Sequence, residues 1–464
     1  MPGTASLEPF FSPQSVAVIG ASRTPGKIGY AVSENLIKAG FKGKLFLVNP
    51  QAEEILGRPC VKSVSQLNGI DLGIVCVPAE LVPGIVAECG KKRFKALVII
   101  SSGFDEIGNQ ELTEKLRRAL RPFPTMRVIG PNCLGIMNMK NRVDSLFLPE
   151  YRLKRPKPGG ISFISQSGAV GSAILDWASM MDYGVGKFIS YGNALDIDET
   201  DLLTYLVNDP ETKVIVLYLE GVKSGRKFFE AAKKLAWKKP VIVLKGGITA
   251  EGGKAAGSHT GSLAGSAQVY AAAFKQTGMI PAGCLQDLFD YARTFIHAPE
   301  ARGKRVQIIT DGGGYGVVAA DAVALNGLQL ANMQESALAA MRKQMPSYVV
   351  LKNPLDLTGG TSNEWYGLAL GAALTDKNVD LIALIILFQV PNLTSDVVQV
   401  ISNLNARKTK PLTVISVGGE FSEVHKRAME HDGIVTFSYP ENAIRSLKAL
   451  ADFYEFQRKK KRKP

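Results

Sequence analysis

Residues 160–174 read GISFISQSGAVGSAI: an apolar β-branched run, a serine and glycine loop, and a second apolar segment that follows at once. This order favours a strand, a tight turn and a helix, because small residues let the chain reverse closely. The same opening returns at residues 306–322, VQIITDGGGYGVVAADA. Residues 15–29, SVAVIGASRTPGKIG, show a related opening with a longer turn. Apolar runs and amphipathic segments alternate behind each opening, which predicts parallel sheets covered by crossover helices.

Working outward, the runs SVAVIG, KLFLVNP, LGIVCVP, ALVIISSG and MRVIGPN read as five strands of a Rossmann-like domain, residues 1–147. The Pro- and cation-rich stretch LPEYRLKRPKPGG (148–160) reads as a linker. Beyond it, GISFIS, GVGKFISYGN, KVIVLYLEG and PVIVLKGG read as strands of a flavodoxin-like domain, residues 148–300. After a second linker, APEARGKR (298–305), VQIIT, LIALIILFQV, PLTVISVGG and GIVTFSYP give a second flavodoxin-like domain, residues 301–464. The expected fold is therefore α/β, a Rossmann-like domain followed by two doubly wound parallel-sheet domains. A chain of 464 residues is too long for one ordinary core and agrees with three.

Composition narrows the function classes. The net charge of +13 points at first to nucleic acid, but the tail RKKKRK (458–463) supplies six of these charges. No aromatic residue interleaves with them, as a base-stacking surface requires, so the tail reads as solvated and no nucleic-acid partner is expected. The apolar run from Leu381 is about half the roughly 20 residues of a membrane-spanning helix and reads as a buried strand. The start, MPGTASLEPFFSPQ, lacks a basic segment followed by an apolar one, so a cytoplasmic location is expected. Cys60, Cys76, Cys89, Cys133 and Cys284 have neither C-x-x-C spacing nor histidines nearby, and no metal site is expected.

The strand–turn–helix openings carry the first chemical signal. The first amides of a helix lack intrahelical partners and attract anions, so the turns at Ser167 and Gly168 and at Gly313 and Gly314 suit phosphate in two places. A single such turn is equally well explained as ordinary βα geometry; two of them favour anion binding. The turn Gly20–Gly29 departs from G-x-G-x-x-G, with Ser22 at the second glycine position. The second strand ends in Asn49-Pro50, where an NAD-binding fold offers an acid to the ribose, which disfavours a nicotinamide cofactor. Ser22, Arg23, Lys27 and Lys44 better suit a nucleotide with an extra phosphate, such as coenzyme A.

The second signal is His259 in AAGSHTGSLAGS (255–266), flanked by Gly252, Gly253, Gly257, Gly261 and Gly265. It has no partners at metal-ligand spacing and no nucleophile elbow nearby. What remains is an imidazole that accepts and carries a phosphoryl group on a loop free to travel. Such a ring needs an orienting carboxylate, and Glu220, closing VIVLYLEG at the carboxyl edge of a sheet, is the candidate. Capping of a neighbouring helix is the plainer alternative for Glu220.

Together, FISQSGAVGSAILDWA, SYGNALDID, VLYLEGVK, GSHTGSLAGS and GPNCLGIMN resemble the α subunit of NDP-forming acyl-CoA synthetases, among them the ADP-forming acetate–CoA ligases. The resemblance runs from about residue 8 to 456 and reaches, more distantly, the α subunit of succinyl-CoA synthetase. It implies coenzyme A contacts at Gly20, Ser22, Lys27, Asn49, Pro50, Ser101, Ser102 and Asn132. It implies that His259 is phosphorylated and stabilised by Glu220, and that the helices after Ser167 and Gly313 hold the phosphate. TDGGGYG and NPLDLTGG match a domain that succinyl-CoA synthetase keeps in its β subunit. The resemblance further implies a separate ATP-grasp β subunit for ADP, ATP and Mg²⁺, an α2β2 heterotetramer, and the interconversion of acyl-CoA, ADP and phosphate with a carboxylic acid, CoA and ATP. A non-catalytic CoA-binding regulatory subunit is the alternative, against which Glu220 and the two glycine turns speak.

Overall fold

The computed structural model describes residues 7–254 and 266–462. The chain forms two compact units, Met1–Pro281 and Ala282–Pro464. The first unit carries two seven-stranded sheets and the second carries one.

The first sheet contains β1 (Ser15–Ile19), β2 (Lys44–Val48), β3 (Glu54–Ile55), β4 (Arg58–Val61), β5 (Leu72–Val75), β6 (Ala96–Ile99) and β7 (Arg127–Ile129). Its spatial order is β3-β4-β2-β1-β5-β6-β7, parallel throughout except for the β3–β4 hairpin. Leaving β3 aside, this is the dinucleotide-binding order 3-2-1-4-5-6, with the reversal of winding between β1 and β5. The five apolar runs of the sequence all become strands here, and β5 and β6 are buried along their whole length, as strands covered on both faces must be.

The second sheet contains β8 (Ile136–Asn138), β9 (Val143–Asp144), β10 (Pro158–Ser165), β11 (Val185–Ser190), β12 (Val214–Leu219), β13 (Val241–Lys245) and β14 (Ile280–Pro281). In the order β14-β13-β12-β10-β11-β8-β9, the parallel members give the flavodoxin arrangement with its reversal between β10 and β12. Residues 136–144 fall within the 1–147 block of the sequence reading. Ile136–Asn138 pair antiparallel with Lys187–Ile189 of β11, and Val143–Asp144 pair antiparallel with β8, so the Rossmann-like segment lends the second sheet an edge. The physical reason is burial: Ile136, Met137 and Val143 are all closed to solvent, and the Ser145 hydroxyl donates to the Ile136 carbonyl at 2.9 Å.

The second unit contains β15 (Arg305–Thr310), β16 (Gln329–Leu330), β17 (Val350–Leu351), β18 (Leu355–Asp356), β19 (Leu381–Ile385), β20 (Leu412–Ile415) and β21 (Val435–Phe437). Its order, β17-β18-β15-β19-β20-β21, is again flavodoxin-like, but the strand beside β15 is split. β16 pairs with Arg305 and Val306, and β18 with Ile309 and Thr310. The Asn353 side chain bridges the gap, accepting from the Ile308 amide at 3.1 Å and donating to the carbonyls of Val306 and Ala331 at 2.8 and 2.9 Å. The helix Leu285–His297 belongs to this unit, where it lies on the C-terminal helix Pro440–Lys461 with Phe295 edge-on to Phe453. Among the described residues no helix is long and apolar enough to cross a membrane.

Candidate active site

At the carboxyl edge of the first sheet the chain leaves β1 through Gly20, with φ +90°. A Cβ there would lie 2.6 Å from the Cys76 carbonyl oxygen, so glycine alone fits. The helix Ile28–Lys38 presses on this turn: a Cβ on Gly29 would meet the Gly20 carbonyl oxygen at 1.9 Å. No side chain caps that helix, which begins after the exposed Lys27, so its first amides face the crevice beyond the sheet. Ser22 accepts from the Thr24 amide at 3.0 Å and shapes the turn.

Asn49 is held by three hydrogen bonds within the protein. Its amide donates to the Ala21 carbonyl at 2.7 Å, and its Oδ1 accepts from the amides of Gln51 and Ala52 at 2.8 and 2.9 Å. It clamps the Gly20 turn to the loop after β2, leaving Pro50 exposed beside it. Ser101 is buried and donates to the Val77 carbonyl at 2.6 Å, while Ser102 is exposed. Asn132, at φ +57°, donates from its backbone to Ser101 and from its side chain to Asn193 Oδ1 at 3.3 Å. The eight candidate CoA residues thus share one sheet edge. Asn49 and Ser101 shape the crevice wall, and sequence reasoning missed Cys76 and Val77, which close it from β5.

At the edge of the second sheet, Gln166 spans the reversal between β10 and β12. Its Oε1 accepts from the amides of Glu220 and Gly221 at 2.7 and 3.1 Å, and its own amide donates to the Tyr218 carbonyl. The Glu220 side chain is buried and accepts from the Tyr218 hydroxyl at 3.3 Å. The Lys245 ammonium donates to the Glu220 carbonyl at 2.8 Å and lies 4.9 Å from the Tyr270 ring centre. Burial lowers the Lys245 pKa, and the Glu220 charge opposes that shift. The next helix, Gly225–Leu235, starts only after Ser224. Ser167 caps the helix Gly168–Met180 by accepting from the Val170 amide at 3.3 Å, which leaves the amides of Gly168 and Ala169, as at any helix start, without an intrahelical partner.

His259 and the glycines at 257, 261 and 265 lie outside the described residues. Both flanks of that segment reach the Glu220 edge. The Gly246 amide donates to the Leu219 carbonyl at 2.8 Å, and Tyr270 meets the backbone of Val222. Sequence reasoning missed Gln166, Tyr218 and Lys245. The signal for Lys245 was a lysine closing an otherwise apolar parallel strand.

In the second unit, Asp311 follows β15, and both its carboxyl oxygens accept from the Leu387 amide beyond β19 at 3.1 Å. Burial pushes its pKa up to about 6, against the pull of its backbone hydrogen bonds. Gly312 starts the helix Gly313–Leu325 with no side-chain cap. A Cβ on Gly313 would lie 2.8 Å from Asp356 Oδ2, whereas Gly314 faces open space.

Three family models match successive parts of the chain. Residues 14–139 match a CoA binding domain, residues 158–295 a succinyl-CoA ligase-like flavodoxin domain, and residues 306–464 a ligase-CoA domain. The α subunit of acetate–CoA ligase [ADP-forming] I from Pyrococcus furiosus is 41% identical over 99% of this chain and 100% of its own length. The acetate–CoA ligase [ADP-forming] of Methanocaldococcus jannaschii is 40% identical over 96% of this chain, which spans only 62% of that longer protein. A solved acetyl-coenzyme A synthetase 1 from Ca. Korarchaeum cryptofilum, in complex with phosphate and ADP, superimposes with a TM-score of 0.93 at 36% identity, covering 99% of each chain.

Proposed function

Since the chain belongs to the ADP-forming acetate–CoA ligase family, we propose that it is the α subunit of an NDP-forming acyl-CoA synthetase in which His259 carries the phosphoryl group. The observation that carries the mechanism is the construction around Glu220: a buried carboxylate at a sheet edge, its backbone tied by Gln166 and Lys245, its side chain met by Tyr218, with both flanks of residues 255–265 reaching the same edge.

Each segment then has a task. Residues 1–147 bind CoA at the Gly20 crevice. There the uncapped helix after Lys27 supplies amides to a phosphate, and Ser22, Lys27, Pro50 and Ser102 supply surface. Residues 148–300 carry out phosphoryl transfer. Inorganic phosphate attacks the thioester carbonyl, the C–S bond breaks, and CoA leaves as a thiolate that takes up a proton. The Gly168 and Ala169 amides stabilise the developing oxyanion. The imidazole of His259 then attacks phosphorus, the acyl oxygen leaves as a carboxylate, and Glu220 holds the ring. Residues 301–464 supply a second helix start, at Gly313 and Gly314, that suits an anion.

ADP, ATP and Mg²⁺ fall to a separate ATP-grasp β subunit, in an α2β2 assembly located in the cytoplasm. The relative from Pyrococcus is itself named an α subunit. The test is phosphate transfer. The chain is incubated with acetyl-CoA and labelled phosphate, with and without its β subunit. Acid-labile, base-stable label on His259 that ADP discharges into ATP is the expected result. His259→Ala abolishes turnover while CoA binding survives. Tight CoA binding without label would leave the regulatory-subunit reading standing.

A further inference from the structure

The CoA crevice and the Glu220 edge belong to different sheets of the first unit, yet a thioester bound in one must meet phosphate held at the other. The loop after β11 ties the two together. Gly192, at φ +56°, presses its backbone on the loop after β7: a Cβ there would lie 2.3 Å from the carbonyl oxygens of Pro131 and Asn132. The amides of Asn193 and Leu195 donate to the carbonyls of Pro131 and Gly130 at 2.9 and 3.0 Å. The backbone of this loop is therefore fixed on the wall of the CoA crevice.

The side chain of Asn193 serves the crevice, and its carbonyl serves the other edge. Its Nδ2 donates to Glu106 Oε2 at 2.6 Å, and its Oδ1 accepts from the Asn132 amide group at 3.3 Å. The other oxygen of Glu106 accepts from the Gly103 amide and, at 3.2 Å, from the Phe104 amide, so this carboxylate holds the loop that follows Ser101 and Ser102. Burial raises the Glu106 pKa, but hydrogen bonds from Gly103 and Asn193 outweigh it and hold the carboxyl below its ordinary range. Glu106 is therefore an acceptor only, which fixes the orientation of the Asn193 amide. From the segment after β12, the Lys223 ammonium donates to the carbonyls of Asn193 and Ala194 at 2.6 and 2.7 Å. Lys223 stands three residues beyond Glu220, on the stretch whose backbone Gln166 ties at Glu220 and Gly221.

We propose that Asn193 is a positioning residue for the step in which phosphate attacks the thioester: it fixes the loops that carry Ser102 and Asn132 against the segment that carries Glu220. In that step a C–O bond to phosphate forms and the C–S bond breaks, and the proton that phosphate gives up goes to the departing thiolate. Attack needs two substrates, held by different sheets, in register to about 1 Å or better. Asparagine serves both Glu106 and Asn132 because it carries a donor and an acceptor; an acid of the same length lacks the donor, and alanine reaches neither. The attachment of the two sheets does not depend on it, because Arg127 pairs with Asp196 at 2.9 Å and Ile136–Asn138 lie in the second sheet. Transfer from the acyl phosphate to His259 involves no CoA and does not need this register. The inference rests on the phosphohistidine reading of the Glu220 site.

The test uses the chain together with its β subunit and follows label on His259 from two donors. Saturating acetyl-CoA with labelled phosphate requires attack on the thioester; labelled acetyl phosphate does not. Asn193→Ala should take label about 100-fold more slowly than the unsubstituted protein from the first donor, and at close to the unsubstituted rate from the second. The same comparison is made on Asn193→Asp, which keeps the acceptor for Asn132 but sets a second carboxylate against Glu106. Adding Glu106→Gln to it exchanges donor and acceptor, restores the bond and should recover most of the rate lost from acetyl-CoA. Unchanged labelling from acetyl-CoA in Asn193→Ala, equal slowing from both donors, or a double variant no faster than Asn193→Asp would each overturn the proposal. If the unsubstituted protein takes label from neither donor, the phosphohistidine reading itself falls, and the inference falls with it.

Discussion

Gln166→Ala is the perturbation that bears most directly on the site. The Gln166 amide oxygen accepts two hydrogen bonds, from Glu220 and Gly221, at 2.7 and 3.1 Å. Truncation removes the single acceptor of both bonds at a half-buried sheet edge where water replaces it only in part. With about 1 kcal/mol for each bond lost, the expected cost is about 2 kcal/mol. For a unit of this size that lowers the melting temperature by about 4–8 °C. The catalytic effect should be larger, because Gln166 ties the backbone that carries the Glu220 carboxylate. A misplacement of about 1 Å in an acting group costs about 100-fold in rate. Gln166→Glu separates the two effects. Its carboxylate keeps an acceptor for both bonds, so the melting temperature holds, but it adds a charge beside Glu220 and slows phosphoryl transfer. Thermal denaturation and the rate of label transfer from acetyl-CoA and phosphate read the two quantities. CoA affinity, measured by calorimetry, stays put, because Gln166 belongs to the second sheet. Full-rate labelling in Gln166→Ala, or equal melting shifts in both variants, would refute the bridging role.

Three further outcomes follow from the geometry. Gly29→Ala places a methyl 1.9 Å from the Gly20 carbonyl oxygen, so the helix must retreat from the turn. The expected destabilisation is about 1–3 kcal/mol, with a loss of CoA affinity of about tenfold or more; an unchanged dissociation constant would remove CoA from this crevice. Gly313→Ala brings a methyl to 2.8 Å from Asp356 Oδ2 and should raise the KM for phosphate while leaving CoA binding intact. Asp311 holds a proton up to about pH 6 that the unfolded carboxyl releases near its ordinary value of 3.8. Its contribution is therefore full below about pH 4 and is lost as pH rises through 6, a penalty of about 3 kcal/mol by pH 8. Asp311→Asn keeps an acceptor for Leu387, so its melting temperature should gain on the unsubstituted protein more at pH 8 than at pH 5; a gap independent of pH would mean that Asp311 is ionised throughout.

The strands of all three sheets were legible because long apolar β-branched runs leave few other options. The strands the sequence did not show are two to four residues long, such as Val143–Asp144, Gln329–Leu330 and Arg58–Val61, too short to display a period. The packing of Leu285–His297 was equally hidden. That helix is amphipathic, as its sequence suggests, but its partner starts at Pro440, and no local signal spans that separation. At the site, Glu220 was readable as an acid closing an apolar strand. Asn49 and Ser101 were readable as residues of the crevice, whereas their hydrogen bonds to Ala21 and Val77 were not, because tertiary packing sets them.

One position, the residue immediately after the strand at which each sheet reverses its winding, is occupied differently each time, and the occupant decides what the crevice can do. After β1 it is Gly20, where no side chain fits, and the main chain comes close to whatever lies beyond the edge. After β10 it is Gln166, and after β15 it is Asp311; both reach across the reversal of winding to amides that follow the facing strand. Such a bridge needs only an acceptor, and both an amide and a carboxyl supply one. They differ in charge. At the edge that carries Glu220, a neutral bridge leaves the electrostatics to the acids and to Lys245, so a phosphoryl group meets no additional anion at any pH. At the edge that carries Gly313, the bridge is neutral only below about pH 6. Asp311→Asn should therefore weaken the pH dependence of phosphate binding at that helix, and Gln166→Asp should add a titrating charge to the Glu220 edge.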